Sequence, residues 1–364
     1  MTHRNPIPRR SRTLAAAIGA SLCAVTLTLA GCGSPSDVPE SSPLFTAQGT
    51  LTVVTHDSFA LSDEAKASFE QETHLKVTYI APGDAGTVAS QLILTKDAPI
   101  GDVVFGLDTT FAGRAIDAGV LDAYTSAALP TDASGLLIPG SDALTPIDYG
   151  DVCVNADKSW FTAHGIALPQ TFADLTKPAY KGLFVTENPA SSSPGLVMLA
   201  ATAQQMGDPG YADYWKALAD NGLKVDAGWT EAYSTDFSGS SGHGAYPLVL
   251  SYASSPAAEV GADGTAPTTL LPQTCVRQVE YAGVIHGAAN PTGARQFIDF
   301  LLSHAVQQEI PDQMWMQPVD KTVELPADWA QFTGQVKDPV LLDPHAVTAN
   351  RDTWIDTWTK TVLG

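Results

Sequence analysis

The sequence predicts a two-lobed α/β protein with a cleft between the lobes, and three observations carry that expectation. β-branched runs alternate with stretches of helical composition at spacings that suit a parallel sheet. The alternation restarts in mid-chain. About 315 residues remain once the N-terminus is set aside, more than one ordinary domain holds.

Residues 1–31 read as a signal peptide and are excluded from the fold. Arg4, Arg9, Arg10 and Arg12 form a basic head, and an apolar run follows over 14–30, too short and too rich in small residues for a stable spanning helix. The run ends in Leu29-Ala30-Gly31-Cys32, which resembles the bacterial lipoprotein signal, in which cleavage precedes the cysteine and its thiol receives lipid. An ordinary secretory signal with an incidental cysteine is the alternative. The Arg9-Arg10 pair is compatible with twin-arginine export, though basic heads often contain such pairs. Residues 32–49 then read as the lipidated Cys32 and a Ser/Pro-rich tether.

Residues 51–55 and 75–80 are β-branched strand candidates, and 62–72 between them is a helix with Ala65 and Phe69 on one face. Ser62 caps its start, and Asp63 and Glu64 suit its first turn. A second helix is predicted over 87–96 and a third strand over 102–107. Ligands of such sheets sit beyond the carboxyl ends of the strands. That rule places His56-Asp57-Ser58, Asp84-Ala85-Gly86 and Asp108-Thr109-Thr110 on one rim. The pattern restarts with a strand at 148–155, a short helix at 159–164, a strand at 182–186, helices at 193–206 and 211–221, and a strand at 247–252. Residues 276–284 return the chain toward the first lobe, followed by a helix pair over 291–310 and a terminal helix over 350–363. The lobes expected are 50–147 plus 283–364, and 148–282. Gly239-Ser-Ser-Gly-His-Gly244 reads as a flexible surface loop.

Removal of the signal takes away four arginines and no acid, leaving 15 Lys+Arg against 39 Asp+Glu, a formal charge of −24. Such a field disfavours nucleic acid and mildly favours cations. The eight histidines lack metal-ligand spacing, so no metal site is expected. There is no Gly-x-Ser-x-Gly elbow, dinucleotide fingerprint or Walker lysine. Beyond the signal and Cys32, only Cys153 and Cys275 remain. Outside the cytoplasm two such thiols are more often a disulfide than a site, with free buried thiols or a reactive nucleophile as alternatives.

Seven segments occur in a distinctive order: Thr55-His-Asp-Ser-Phe-Ala60, Gly106-Leu-Asp108, Asp148-Tyr-Gly150, Ser193-Pro-Gly195, Gly228-Trp-Thr-Glu-Ala-Tyr233, Leu250-Ser-Tyr-Ala-Ser-Ser-Pro-Ala257 and Met314-Trp-Met-Gln-Pro-Val319. Together they resemble the periplasmic thiamine-binding proteins of ABC transporters, from about Leu51 onward. The resemblance implies a type II periplasmic-binding-protein fold that closes on its ligand: thiamine, thiamine monophosphate or thiamine diphosphate. It implies a monomer without cofactor, delivering ligand to the permease subunits from the extracytoplasmic face of the cell membrane.

Carried over by position, the ligand-binding residues are Asp84 and Ala85, Ser192 and Ser193, Trp229, and Tyr252, Ala253, Ser254, Ser255 and Pro256. His56, Asp57, Asp108, Asp148, Tyr233 and Trp315 are further possible contacts. The chemistry suits the parts of thiamine. Flat rings and a delocalised thiazolium cation want aromatic faces, worth about 0.5–2 kcal/mol each. The aminopyrimidine edge needs polar partners such as Asp84. The hydroxyl-rich start of a helix at Ser191-Ser192-Ser193-Pro194 suits a phosphate, although most Ser-Pro helix starts are plain caps. The buried aromatics have an equally ordinary reading as core. One departure stands out: His56 occupies a position where the family often has tyrosine.

Two rival readings remain at the level of sequence. Another small polar solute, such as a polyamine, ferric ion or sulfonate, fits the same fold. A thiaminase-like enzyme would use Cys153 as nucleophile and Glu231 as base. A purely structural surface protein gives no reason for seven rim motifs in register.

Overall fold

The computed structural model describes residues 49–364. The signal peptide, Cys32 and all of the tether before Gly49 lie outside the described residues. Eleven strands form one sheet: β1 (Gly49–Val54), β2 (Leu75–Ile80), β3 (Val103–Asp108), β4 (Leu121–Asp122), β5 (Thr145–Asp157), β6 (Phe184–Glu187), β7 (Lys224–Asp226), β8 (Leu248–Tyr252), β9 (Thr268–Leu270), β10 (Val276–Ile285) and β11 (Gln317–Pro318). Along the main path the order is β2-β1-β3-β10-β5-β8-β6-β7. Both ends are parallel, β2-β1-β3 on one side and β8-β6-β7 on the other. The centre is antiparallel: β10 pairs with β3 and β5, and β5 with β8. The expectation of a parallel sheet therefore holds for the two outer parts. The centre departs from it because the chain must return from the second half to the first, and β10 is that return.

Alternation along the strands builds two large cores. In β1, Leu51 and Val53 join Phe69 and Phe297, while the next residue, Val54, joins Val88, Leu92 and Phe111 on the opposite face. The helix Asp63–Thr73 starts as its sequence predicts: the Ser62 hydroxyl accepts from the Ala65 N–H at 3.0 Å, and Ala65 and Phe69 are its buried residues. The second helix begins two residues earlier than expected, at Ala85, because the Asp84 carboxylate accepts from the Ala85 N–H at 2.6 Å. The helix pair appears as Pro291–Leu301 and His304–Met314, and the terminal helix starts early, at Pro344 behind its Asp343 cap. No helix of the described residues is long and apolar enough to cross a membrane.

The segment 239–244 lies at the surface yet is fastened. Ser240 is buried and its hydroxyl donates to the carbonyls of Tyr233 and Phe237, and a side chain at Gly244 would strike the backbone of Asp236.

Strands β5 and β10 are the longest in the sheet, with 13 and 10 residues, and they span its middle. Their register shifts between Glu280 and Tyr281, and that of β10 on β3 shifts one residue further on. A disulfide joins Cys153 on β5 to Cys275, the residue before β10, with Cα atoms 4.2 Å apart. It closes a loop of 122 residues, and both cysteines are buried beside Trp329 and Phe332. Replacing both, as Cys153→Ala with Cys275→Ala, is expected to lower the unfolding free energy by about 2–5 kcal/mol in urea titration. An unchanged urea midpoint would show that the bridge adds nothing to the fold.

A candidate solute cleft at the sheet centre

The carboxyl ends of the parallel strands deliver most of the site. His56 follows β1, Asp84 follows β2 and Asp108 ends β3, as the strand-end rule predicts. From the other half come Trp229, Tyr252 at the end of β8, and Ser193 at the start of the fourteen-residue helix Ser193–Met206. All of these except Asp108 line a cavity of about 780 Å³ counted to its open mouth. Its wall includes His56, Asp84, Ser193, Trp229, Tyr233, Tyr252, Ser255 and Trp315 among the expected residues. Ser58, Pro194, Met314 and Met316, which lie in the segments quoted from sequence, complete it together with Ser234, Ala258 and Glu280, which were not singled out.

The aromatic side is held rigidly. Trp229 stacks on Tyr233, with ring centroids 5.1 Å apart and planes 12° apart, and meets Tyr252 edge-on at 6.3 Å. The Trp229 indole N–H donates to the Ser251 hydroxyl at 2.9 Å, and Ser251 is bonded in turn to Ser255 at 2.8 Å. Tyr252 donates its backbone N–H to Ser255 and its hydroxyl to Gln278. Trp315 lies parallel to Trp329 at 6.0 Å, and its carbonyl accepts from the Ser254 hydroxyl at 2.6 Å. Rings fixed in this way present flat faces without further loss of rotamer freedom.

Two helix starts approach each other across the site. The Gly86 N–H donates to the Ser191 carbonyl at 2.9 Å, and the Trp229 N–H donates to Asp84 Oδ2 at 3.3 Å. Only a glycine permits the first contact, since a Cβ at Gly86 would lie 2.6 Å from the Ala190 carbonyl oxygen. The hydroxyls of Ser192 and Ser193 are buried and have no well-formed hydrogen bond among the described residues. Ser192 lies near enough to Asp84 to favour its charge, without a well-formed hydrogen bond between them.

Several expected residues stand behind the wall or away from it. Asp57 is exposed, and Ala85, Ala253 and Pro256 are buried in or beside helix starts. Asp108 is fully buried and caps the turn after β3, accepting from the Thr110 and Phe111 N–H groups. Asp148 is fully buried on β5. Ser254 is turned to the Trp315 carbonyl. The chief residue missed is Glu280. A lone carboxylate within the apolar return strand Val276–Ile285 was a legible signal for it.

The site's electrostatics follow from burial. Burial raises the Asp84 pKa, partly offset by the neighbouring Ser192 hydroxyl, the Ala85 and Trp229 N–H groups and His56. Burial pushes Glu187 well above the usual carboxylate range, and neighbouring Asp84 and Asp226 add to it. Burial also lifts Asp108 to about 6. For His56, burial opposes the charged form, but Glu280, whose Oε1 lies 3.4 Å from Nε2, together with Asp84 and Asp57, raises its pKa above the ordinary value.

A two-halved α/β fold whose parallel ends meet around an aromatic, acidic cleft at a pair of shared strands is the architecture of a protein that captures a small solute. Residues 98–332 match the bacterial extracellular solute-binding protein family, and the chain belongs to that family. The thiamine-binding periplasmic protein of Brucella suis biovar 1 (strain 1330) is 31% identical over 330 residues, covering 87% of this chain and 93% of that one. That of Escherichia coli K12 is 30% identical over 334 residues, with 88% and 96% covered. Among solved structures, a periplasmic thiamin binding protein superposes with TM-score 0.73 at 28% identity, covering 90% and 99% of the two chains. The ferric binding protein from Campylobacter jejuni shares the fold at 14% identity and TM-score 0.68, over 85% and 99%. The fold class expected from the sequence, a type II periplasmic binding protein, is the one observed.

A carboxyl whose pKa is raised by folding stays protonated in the folded chain after its unfolded counterpart has ionised, so its contribution to stability is full at low pH and is lost as pH rises. For Asp108 that window runs from 3.8 to about 6. Asp108→Asn is therefore expected to flatten the decline of unfolding free energy across this window by about 3 kcal/mol, read from urea titrations at several pH values. Parallel pH profiles for variant and parent would contradict the assignment.

Proposed function

We propose that this chain is the extracytoplasmic capture subunit of an ABC importer for thiamine or its phosphate esters, and that it binds without turning its ligand over. The carrying observation is the cleft wall: Trp229, Tyr233, Tyr252 and Trp315 provide ring faces, while its acidic groups are Asp84 and Glu280. A flat, permanently cationic heterocycle satisfies both kinds of surface, and each aromatic face gains more from a cation away from water. The names of the relatives support the same ligand. Against an enzyme, the thiol of Cys153 is taken up in the bridge to Cys275, which leaves the thiaminase-like reading without its nucleophile.

The ester phosphate is assigned to the start of the helix Ser193–Met206, where the Ser193 hydroxyl lines the cleft and Ser192 lies just behind it, beside backbone N–H groups that have no partner within the helix. Binding is assigned to closure of lobe 50–147 plus 283–364 on lobe 148–282 about β5 and β10. Anchoring through lipid on Cys32 at the outer face of the membrane, and action as a monomer docking on permease subunits, complete the proposal.

Calorimetry of the purified chain with thiamine, its mono- and diphosphate, and unrelated cations tests the reading; no heat at millimolar thiamine or ester overturns it. Trp229→Ala is expected to weaken thiamine binding by about 2–4 kcal/mol, and an unchanged affinity would remove the indole from the site. Ser192→Ala combined with Ser193→Ala should weaken the monophosphate more than free thiamine, and equal losses would move the phosphate elsewhere.

A further inference from the structure

Glu280 sits between two other acids. On β10 it is directly opposite Asp148 of β5 on one side and Asp108 of β3 on the other, at the point where the register of β10 shifts. Asp148 is fully buried, and neither of its carboxyl oxygens receives a donor among the described residues. The two side chains leave facing strands at the same level, both are buried, and of the pair only Glu280 lines the cleft. Ionising two facing carboxyl groups away from water is costly, because each charge opposes the other.

We infer that the Asp148–Glu280 pair is a proton-exchange element of the binding site: empty, it holds one proton, and a cationic ligand entering the cleft expels that proton to solvent. The exchange balances, since one positive charge enters as one leaves: the carboxylate freed on Asp148 adds its charge behind Glu280, which faces the new cation. Burial and the neighbouring Glu280 push Asp148 well above the usual carboxylate range, in keeping with its role as the holder of the proton.

The groups around the pair allow this assignment. From the turn after β1, His56 points Nε2 at Glu280, while its Nδ1 accepts the Ser58 N–H at 3.2 Å. In the neutral ring the proton therefore sits on Nε2, and a second proton on Nδ1, which the surrounding acids favour, would break the Ser58 bond. On β10, Gln278 donates to Glu280 at 3.5 Å and accepts from the Tyr252 hydroxyl of β8. Asp108 on β3 is held by its own turn, with the Arg351 charge of the helix Pro344–Trp358 acting on it. Asp84, after β2, acts on His56 and Tyr252.

This inference rests on the reading of the cleft as a cation site, and the experiment separates the two. Thiamine is titrated calorimetrically into the purified chain in buffers of different ionisation heat, which counts the protons exchanged. The expected result is release approaching one proton per thiamine near neutral pH, with affinity rising by up to about tenfold per pH unit while the pair remains protonated. Asp148→Asn, which keeps a donor to Glu280, should abolish the release and flatten the pH dependence, whereas His56→Gln should retain both. Thiamine heat that is independent of buffer, or release that survives Asp148→Asn and disappears in His56→Gln, overturns the inference alone. No thiamine heat at all overturns the cation reading and the inference with it. Should Asp148→Asn not fold, infrared difference spectra of the parent chain decide: thiamine should remove intensity from the protonated-carboxyl C=O band, and an unchanged band is contrary to the inference.

Discussion

The antiparallel pairing of β5 with β10 is the constraint on which the rest depends. Each half of the sheet ends in parallel strands whose carboxyl ends face the centre, and the two halves are joined through this one pair. Because β5 and β10 run through both halves, any residue at their midpoint belongs to neither alone. Glu280, Asp148 and Gln278 lie there. Of the three, only Glu280 reaches the cleft wall; apart from it and Tyr252, the wall is supplied by the turns and helices that follow the strands.

The rim is governed by hydrogen-bond accounting. The helices Ala85–Leu94 and Ser193–Met206 each begin with N–H groups that have no partner within the helix. Asp84 satisfies the first of its own helix and also takes the Trp229 N–H from across the site, so one carboxylate ties helix start to aromatic wall. At the second helix start the buried Ser193 hydroxyl has no partner among the described residues, and that of Ser192 has only the nearby Asp84. Buried polar atoms are rarely left so, and the proposed phosphate site is their natural explanation. Glycine is required at both helix starts: a Cβ at Gly86 or Gly195 would come within 2.6 Å or 2.5 Å of a carbonyl oxygen.

Much of this was legible in the sequence because the signals were local. The Ser62 cap, the alternation of β1, the Ser-Pro helix start and the strand-end positions of His56, Asp84 and Asp108 all follow from residues a few positions apart. What escaped depends on contacts between distant segments. Nothing near Asp148 in sequence says that it is paired with Glu280 on a strand more than a hundred residues away, or that β10 runs against both its neighbours. Met314 and Met316 lie in a segment that carried the resemblance, but only the turn at Trp315, with its φ of 57°, shows that both reach the cleft. The two-residue strands β4 and β11 have no periodicity to detect; they exist because β10 and β5 offer free edges.

The bridge between Cys153 and Cys275 also says something about the protein's life history. A reducing cytoplasm keeps thiols apart, and oxidation belongs to the far side of the membrane, where this family resides. The covalent clasp beside the central strand pair can therefore close only after export. A molecule stranded inside the cell would carry the same residues but lack that fastening, and would open more readily to proteases. The clasp thus records passage across the membrane, and it reserves full robustness for copies that have reached their place of work.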